Sequence, residues 1–521
     1  MADTRYPIGD PSFVRIREEG FFYVDKTEYI HRMVKEGVFY FLSRPRRFGK
    51  SLLVSTLEAY FQGKKELFKG LAIDDFEKEW KKYPVFRFDL SAGDMSRHEE
   101  LESHLGITLG RWEDIYGANP AEDTVSTRFR GLIQRAVQQT GLKAVVLVDE
   151  YDNPLFSTID DKETHERMRS TLKGIYSVLK AEADNIRFCF LTGITRFSKM
   201  SVFSGLNNLE DITLEPDYAG ICGITQEELT QHCGEGIRKV AEMNSISYDG
   251  ALAELKGHYD GYHFSAVSPD VYNPFSLIQA FKKGSLKSYW FTSGTSKFLW
   301  ERICRLGDST ALLDVLSPTL TETQLGATEE DGLTLEALLY QSGYLTIKGT
   351  AQRGRAYRLG IPNREVEEGI MEGLLPLTSR RRTAEVNVDL MKMRDYADDG
   401  DVDAMMRHIR SFLAEIPYQM HGKNPEIYYE NNLLILFTLI GIQTRVEMAT
   451  ADGRMDVAMR CENFIYVLEL KLDKSADGAL RQIREKDYQL PFERKGLPII
   501  LVGVNFSSEK RNIDSWVYEQ Q

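Results

Sequence analysis

VFYFLSRPRRFGKS, residues 38–51, is the stretch that decides the fold of the N-terminal part of this chain. Residues 38–42 are apolar and rich in aromatic side chains, which predicts a short buried strand. Apolar residues then recur at helical spacing after Ser51, at Leu53, Leu57 and Phe61. A strand, a tight loop ending in Gly-Lys-Ser and a helix form the layout of a phosphate-binding loop (P-loop), in which backbone N–H groups and a helix N-terminus surround an anion. We therefore predict a nucleoside triphosphate site and expect ATP as its ligand.

The P-loop pattern is broken at one position. The usual pattern G-x-x-x-x-G-K-[ST] places glycine at position 44, where this chain has arginine. The alternative interpretation is a basic surface turn followed by a helix that is capped near Ser51. We favour the P-loop, in which Lys50 reaches the terminal phosphates and Ser51 holds Mg²⁺. The loop residues predicted to bind the nucleotide are Arg44, Arg46, Arg47, Phe48, Gly49, Lys50, Ser51 and Leu52.

A second apolar run, residues 144–148, ends in Asp149 and Glu150. Such a run is typical of a central parallel strand that is buried on both faces, and ligands of open α/β sheets bind at the C-terminal ends of these strands. We predict that Asp149 helps to hold Mg²⁺ and the nucleotide, and that the catalytic Glu150 polarises the attacking water. Alone, the segment is also compatible with a strand end that carries two solvated acids. Together with the P-loop, it indicates an ATPase.

A third predicted strand, residues 186–191, is followed by Thr192, Thr195 and Arg196. A polar residue at the tip of a neighbouring strand can sense the γ-phosphate, which makes Thr192 or Thr195 a candidate for nucleotide contact. Arg196 is a candidate catalytic arginine that stabilises negative charge. The alternative is a strand-ending turn with a surface arginine.

The composition is that of an ordinary soluble protein, with 42% hydrophobic and 27% charged residues in 521. The formal net charge of −13 argues against nonspecific coating of nucleic acid, but a local basic groove is compatible with it. The five cysteines lack metal-ligand spacing and are expected to be reduced thiols. Residues 1–5 hold no apolar signal core, and the longest apolar run, 433–442, is too short to span a bilayer. We expect a cytoplasmic protein without membrane segments.

The chain divides into three predicted domains, residues 1–224, 225–384 and 385–521. The first alternates strands and helices, with further strands expected at residues 21–24 and 85–90, and predicts a mostly parallel sheet.

The middle region is predicted to be largely helical. Thr225, with Glu228 three residues later, is the expected cap of a helix. Residues 340–347 and 356–359 predict a small hairpin of the kind found in a winged-helix module. Residues 379–382 are basic and form a plausible linker.

A predicted hairpin in the last third brings two acids and a lysine together. Residues 453–459 and 464–472 form two strands joined by a short polar turn. Antiparallel pairing brings Asp456 close to Glu469, and Lys471 projects from the same face as Glu469. These three residues are therefore predicted to be catalytic, because two metal-binding carboxylates beside a lysine that positions water suit Mg²⁺-assisted phosphodiester hydrolysis.

Further groups can complete this site. Glu426 or Glu430, at the predicted start of an apolar helix, can supply another metal ligand with a catalytic role, and a later helix can bring Gln482 and Tyr488 over the site. The alternative is an amphipathic hairpin whose acids and lysine form surface ion pairs.

A set of motifs spread over nearly the whole chain carries a family resemblance. They are YVDKT at 23–27, RPRRFGKS at 44–51, DEYD at 149–152, TGITRF at 192–197, YDGY at 259–262, YNPF at 272–275, GRMD at 453–456, ELK at 469–471 and Gln482. With them, the chain resembles the bacterial AAA-ATPase-like proteins that have a C-terminal domain of the PD-(D/E)XK nuclease superfamily.

The resemblance implies an α/β fold with an N-terminal P-loop NTPase sheet, a helical, winged-helix-like middle region and a C-terminal α/β nuclease-like domain. Arginine at position 44 is usual in such proteins, and residues 23–27 would lie near the nucleotide base. Glu426 matches a helix glutamate that precedes paired tyrosines in such proteins, whereas position 430, commonly histidine in them, is glutamate here. Which of the two acids binds the metal is left open by the resemblance, and Glu426 is preferred.

The leading hypothesis is an ATPase whose nucleotide cycle controls a Mg²⁺-dependent nuclease that acts on DNA, with defence or control of mobile elements as candidate roles. Its expected cofactors are ATP and Mg²⁺, its expected macromolecular partner is nucleic acid, and oligomerisation is compatible with it. The alternative is an ATP-dependent regulatory switch that binds nucleic acid and whose C-terminal domain does not cut. A helicase is disfavoured because no further helicase-like motif is found.

Overall fold

The structure, a computed structural model, describes most of the chain. The described residues are 4–91, 93–158, 161–194, 208–291, 315–327, 334–379, 382–415, 433, 435–441, 443–450, 453–493 and 496–521, without the side chains of residues 377, 378, 383, 443–450 and 453–456. The chain divides into two compact units, Met1–Trp290 with Ser317–Arg364, and Phe291–Leu316 with Glu365–Gln521. The three domains expected from the sequence stay a prediction.

The first unit combines a parallel sheet with helical layers. Its helices are α1 Phe13–Glu18, α2 Thr27–Glu36, α3 Lys50–Phe61, α4 Ala72–Phe76, α5 His98–Tyr116, α6 Val125–Thr140, α7 Asn153–Phe156, α8 Lys162–Ala181, α9 Gln226–His232, α10 Gly234–Met243, α11 Tyr248–Tyr259, α12 Pro274–Lys283, α13 Glu322–Leu325 and α14 Leu335–Ser342. Its strands are β1 Phe39–Ser43, β2 Val85–Asp89, β3 Ala144–Asp149, β4 Ile186–Gly193, β5 Glu210–Asp211, β6 Ile224–Thr225, β7 Val271–Tyr272, β8 Thr319–Thr321, β9 Thr346–Ala351 and β10 Ala356–Gly360.

Five parallel strands form the main sheet, in the order β2-β3-β4-β1-β5. The strands expected from the three apolar runs and from residues 85–90 are confirmed, and β3 is buried along its whole length. Strand β4 lies between β1, which leads into the P-loop, and β3, which ends in Asp149. Because these strands run parallel, their C-terminal ends, and with them the P-loop and Asp149, lie at the same edge of the sheet.

Helices cover both faces of this sheet. Residues of α5, α6 and α8 form one apolar core with Phe86, Val146 and Leu191 of the strands. Helix α3 packs on β2, β3 and β4 and buries Leu57 and Phe61, whose ring lies 5.0 Å from that of Phe188. Burial on both faces is what the unbroken apolar run of β3 predicts.

The strand expected at residues 21–24 is wrong. These residues have irregular backbone, and among the described residues no strand pairs with them. Their aromatic rings pack into a helical layer instead: Phe22 lies 5.5 Å from Tyr6, and Tyr23 lies 5.4 Å from Phe13. A short apolar, aromatic run fits either environment, because its pattern carries no information about its neighbours.

The remainder of the first unit contains a helical core and a small sheet. Thr225 caps α9 in a capping box with Glu228, as expected. Strands β9 and β10 form an antiparallel hairpin, and β8 joins them in the order β8-β10-β9. The second arm lies where it was expected, but the first arm expected at residues 340–347 is wrong in its bounds, since residues 340–342 end helix α14 and the strand begins only at Thr346. The apolar and aromatic residues of this stretch fit the buried face of a helix as well as a strand.

The second unit contains a mixed five-stranded sheet and flanking helices. Its helices are α15 Arg364–Ser379, which begins at the last residue of the first unit, α16 Thr383–Asp398, α17 Val402–Ala414 and α18 Ala476–Glu485. Its strands, in sheet order, are β11 Gln443–Thr450, β12 Gly453–Arg460, β13 Ile465–Leu472, β14 Ile499–Ser507 and β15 Asn512–Gln520. Only β13 and β14 pair in parallel in this sheet, and α18 connects them.

The described residues also bear on the predictions for the cysteines and for membrane segments. Cys189, Cys222, Cys233 and Cys461 are buried free thiols. None of the helices in the described ranges is long and apolar enough to cross a membrane.

Candidate nucleotide and nuclease sites

The P-loop, residues 44–51, connects β1 directly to α3. Gly49 precedes the first helical residue in a left-handed conformation, with φ +93°, and no side chain caps this helix N-terminus. A Cβ built on Gly49 meets no described atom within 4 Å, so space is open beside this backbone. Uncapped N–H groups at a helix N-terminus beside open space form an anion cradle, and the loop therefore fits a phosphate.

The Lys50 side chain turns back onto the loop. It is buried, and its Nζ donates hydrogen bonds to the carbonyl oxygens of Arg44, at 2.9 Å, and Pro45, at 3.0 Å. The ammonium group is thus held at the cradle by neutral acceptors that the oxygens of a phosphate can replace.

Asp149 supplies a buried carboxylate next to the P-loop. It is 1% exposed, and its Oδ1 has no hydrogen-bond partner among the described residues. Burial raises the pKa of this carboxyl to about 6, while the Ser51 hydroxyl and the charge of Lys50 act in the opposite direction. Arg87 Nη2 lies 3.9 Å from Asp149 Oδ2. A buried carboxylate oxygen beside a serine hydroxyl is a donor set that suits Mg²⁺, so these residues fit the expected metal.

Two neighbours of Asp149 were predicted to act in hydrolysis. Glu150 is half-buried and has a left-handed backbone with φ +50°, a conformation that costs energy for a non-glycine residue and is common at functional sites. Thr192 is fully buried, and its hydroxyl donates to the Leu42 carbonyl at 2.8 Å. Arg196 and Thr195 lie outside the described residues.

The arginine that replaces the first loop glycine points into the protein. The Arg44 guanidinium is 1% exposed and donates to the carbonyls of Ser43 (2.9 Å), Thr213 (2.8 Å) and Tyr218 (3.2 Å). It also lies 4.0 Å from the ring centroid of Phe264. Its guanidinium therefore acts as an internal brace for the loop, and nucleotide contact by Arg44 stays a prediction.

The other predicted loop residues differ in exposure. Arg46 is half-buried, with its guanidinium 5.9 Å from the Phe156 ring, and Arg47 is exposed, 4.9 Å from the Phe275 ring. Phe48 is buried and Leu52 is half-buried. Nucleotide contact by these residues stays a prediction.

Sequence reasoning missed three aromatic residues that pack against the loop, which we call the aromatic shell: Tyr262, Phe264 and Trp290. The Phe48 ring lies 4.7 Å from Tyr262 and 5.4 Å from Phe264, and Trp290 Nε1 donates to the Arg46 carbonyl at 3.0 Å. The aromatic turn at residues 258–264 was visible in the sequence, but nothing in its spacing connects it with a loop more than 200 positions away.

In the second unit, β12 and β13 pair as the expected antiparallel hairpin. The ladder runs from Val457 opposite Leu468 to Arg460 opposite Ile465. Continued by one position, this register sets the backbone of Asp456 opposite Glu469. The side chain of Asp456, and all of Glu426 and Glu430, lie outside the description.

Glu469 is the centre of the described part of this site. It is 1% exposed, and its Oε1 accepts hydrogen bonds from Lys471 Nζ, at 2.7 Å, and from Gln482 Nε2 of α18. The Tyr488 hydroxyl lies 3.5 Å from the same Gln482 nitrogen. Lys471 and Gln482 thus meet Glu469, as the sequence suggested.

Close packing of α18 on β14 positions Gln482. Gly503, which is opposite Glu469 in the parallel ladder, allows the approach, since a Cβ there would lie 2.2 Å from the Ala476 carbonyl oxygen. The buried Glu469 carboxylate is an oxygen ligand of the kind that Mg²⁺ takes, whereas the Lys471 ammonium beside it cannot bind the metal and can only position a water or a phosphate oxygen. Within the described ranges, no group of three or more His, Cys, Asp and Glu side chains is placed to hold a metal.

Comparisons with known proteins agree with both halves of this arrangement. Residues 7–203 match the family model described as Predicted AAA-ATPase, and residues 424–516 match that of the PD-(D/E)XK nuclease superfamily. The chain belongs to the family of AAA-ATPase-like proteins with a C-terminal PD-(D/E)XK nuclease-superfamily domain.

One relative matches this chain over almost the whole length of both proteins. The chain is 34% identical over 536 residues to a protein of Azotobacter chroococcum mcd 1 named "Uncharacterized protein in vnfD 5'region", which covers 100% of this chain and 99% of the relative.

Proposed function

We propose that this protein binds and hydrolyses ATP, and that its nucleotide cycle controls a Mg²⁺-dependent nuclease in its second unit that acts on DNA. The observation that carries the ATPase part is the Oδ1 atom of Asp149, buried without a hydrogen-bond partner among the described residues beside Lys50 and Ser51. A buried anionic oxygen is costly unless something compensates it, and a bound cation does so.

Each residue of the nucleotide site has a proposed task. The N–H groups at the start of α3 and the Lys50 ammonium bind phosphate oxygens, and Ser51 and Asp149 hold the metal. When bound, Mg²⁺ neutralises charge that develops on the phosphate oxygens. Glu150 orients the attacking water, with Thr192 and Arg196 as the proposed γ-phosphate contacts.

The nuclease site is proposed on Glu469, Asp456 and Lys471, with Glu426 as a further ligand. Glu469 and Asp456 hold the metal, and Lys471 positions a water or takes its proton. Gln482 fixes the orientation of the Glu469 carboxylate through its hydrogen bond. The superfamily match favours a nucleic acid substrate, and we propose DNA.

The test uses the purified full-length protein with plasmid, linear and single-stranded DNA and with RNA, with and without ATP and Mg²⁺. We expect DNA cleavage that depends on Mg²⁺ and changes with ATP. Glu469→Gln and Asp456→Asn should abolish cleavage but keep ATP turnover, and Lys50→Ala should abolish turnover. Glu485→Gln, an exposed acid at the end of α18, is the matched control. Cleavage by Glu469→Gln at the wild-type rate refutes the nuclease site.

The second candidate is an ATP-dependent switch that binds nucleic acid without cutting it. The net charge of −13 disfavours contact with long stretches of nucleic acid in both candidates, so the cleavage assay has to separate them. ATP turnover and nucleic acid binding by wild type, with no cleavage under any of these conditions, would establish it.

A further inference from the structure

Trp290 binds the P-loop through a backbone carbonyl. Its indole Nε1 donates to the Arg46 carbonyl at 3.0 Å, and its ring is 6% exposed and lies 5.1 Å from the Tyr344 ring in an edge contact. Gly343 approaches the loop equally closely, since a Cβ built on it would lie 2.5 Å from Pro45 Cβ. Residues 45 and 46 are therefore held in part by packing against Gly343 and by the hydrogen bond from Trp290.

Trp290 is also the last residue of the first unit before the chain enters the second at Phe291. The residue that bonds to the loop and the residue that begins the second unit are thus joined by one peptide bond. The Trp290 side chain therefore links the Arg46 carbonyl to this connection.

The chain leaves the first unit a second time after Arg364, and the residues just before this point contact the turn that carries Tyr262 of the aromatic shell. Asn363 Nδ2 donates to the Asp260 carbonyl at 2.8 Å, and Lys348 Nζ donates to the Pro362 carbonyl at 3.0 Å. Gly261 lies so close to Pro362 that a Cβ on it would be 2.3 Å from the Pro362 carbonyl oxygen. The next residue, Tyr262, packs its ring against Phe48 of the loop. Both points where the chain leaves the first unit are therefore connected to the P-loop, the first directly through Trp290 and the second through the turn that carries Tyr262.

We propose that Trp290 is the positioning residue that couples the nucleotide state of the P-loop to the second unit, through its hydrogen bond to the Arg46 carbonyl. This inference rests on the proposed function and names the residue that transmits control. When phosphate binds, Lys50 exchanges the carbonyls of Arg44 and Pro45 for phosphate oxygens. The two peptide groups before Arg46 then lose the bonds that fix them, and the adjacent Trp290 bond responds to the change.

The expected size of the effect follows from one neutral hydrogen bond. Its loss corresponds to about a fivefold change in an equilibrium constant. Because coupling between two binding equilibria is reciprocal, the same factor applies to the effect of nucleotide on the second unit and to the effect of the second unit on nucleotide affinity.

The experiment compares wild type, Trp290→Phe and Tyr289→Phe as full-length proteins. Tyr289→Phe, at the neighbouring position, is the matched control, because it removes a hydroxyl that bonds to the hydroxyl and the carbonyl oxygen of Ser285. Hydrogen exchange of peptides from the second unit is measured with and without a non-hydrolysable ATP analogue and Mg²⁺, next to analogue affinity and DNA cleavage. Thermal unfolding of each variant verifies folding.

We expect the analogue to change exchange in the second unit of wild type and of Tyr289→Phe, and this change to weaken about fivefold in Trp290→Phe. Trp290→His, which keeps a ring N–H, is expected to restore part of it. An unchanged response in a folded Trp290→Phe overturns the inference. If Trp290→Phe does not fold, the test rests on wild type. An ATP analogue that leaves hydrogen exchange in the second unit of wild type unchanged also overturns the inference.

Failure of this inference and failure of the proposed function give different results. If wild type cleaves DNA in an ATP-dependent manner and Trp290→Phe keeps the full ATP dependence, Trp290 has no coupling role, and the proposed function stands. If wild type binds the analogue but never cleaves DNA, the proposed nuclease activity is refuted. The hydrogen-exchange measurement then still tests the coupling to the second unit.

Discussion

Replacement of Arg44 by glycine restores the usual P-loop pattern, and we nevertheless expect it to destabilise the protein. The Arg44 guanidinium makes three hydrogen bonds to buried carbonyls and stacks on Phe264. Hydrogen bonds to a charged group contribute about 1.5–3 kcal/mol each, and a desolvated cation–π contact about 2 kcal/mol, against which stands the cost of burying the charge. We expect a net loss of about 3–5 kcal/mol, because the change leaves three buried carbonyl oxygens without their donor, at about 1–3 kcal/mol each, while it relieves the cost of burying the charge.

The assay is chemical and thermal unfolding of Arg44→Gly, Arg44→Met and wild type, with ADP affinity measured on the same samples. At about 2.1 cal/mol/K of unfolding entropy per residue, this loss lowers the Tm of a unit of this size by about 4–7 °C. Arg44→Met keeps the apolar contact with Phe264 and is expected to lie between the other two. ADP affinity is expected to fall with stability, because the loop loses its internal brace.

Arg47→Gly is the matched control for this substitution. Arg47 is exposed and has φ +67°, which suits glycine, so this change is expected to leave the Tm unchanged or to raise it slightly. The reasoning is refuted if Arg44→Gly is as stable as wild type, or if it binds ADP more tightly.

Three further predictions follow from buried groups. Burial raises the pKa of Asp260 to about 6, above its unfolded value, so its ionisation destabilises the fold increasingly as the pH rises from the unfolded pKa to the folded pKa, and fully above it. Asp260→Asn is therefore expected to be more stable than wild type at pH 7, with this advantage about 1–2 kcal/mol smaller at pH 5 in urea unfolding. Gly503→Ala would drive a methyl group into the backbone of α18, and we expect the second unit to lose about 1–3 kcal/mol in chemical denaturation and cleavage to fall as Gln482 moves. Glu228→Gln removes the carboxylate that neutralises the buried Lys26 ammonium, 2.6 Å away, and should cost about 3–5 kcal/mol in the same assay.

Each of these has an outcome that contradicts it. A stability difference between wild type and Asp260→Asn that is the same at both pH values would show that this carboxyl does not titrate as described. Gly503→Ala with wild-type stability would mean that α18 moves away from β14 without cost, and Gly110→Ala, with no described atom near the added methyl, is its control. The double variant Lys26→Met with Glu228→Met should recover most of the loss seen in Glu228→Gln.

The sequence predicts the local elements of both sites well, because hydrophobic periodicity and turn chemistry are local properties. The strand, loop and helix around Lys50, the apolar strand ending at Asp149 and the hairpin that carries Glu469 all follow from residues within about 20 positions of one another. The strand expected at residues 21–24 failed for the same reason, since a short aromatic run fits a sheet and a helical layer equally well.

The sequence by itself therefore determined the class of this protein, a P-loop ATPase-like chain with a nuclease-type C-terminus, through motifs whose chemistry is local. Only the tertiary structure decided what surrounds them. Folding brings Tyr262, Phe264 and Trp290 onto a loop more than 200 positions earlier and turns Arg44 inward onto three carbonyls. Such contacts depend on the path of the whole chain and on which surfaces become buried together, and neither leaves a periodic pattern in the sequence.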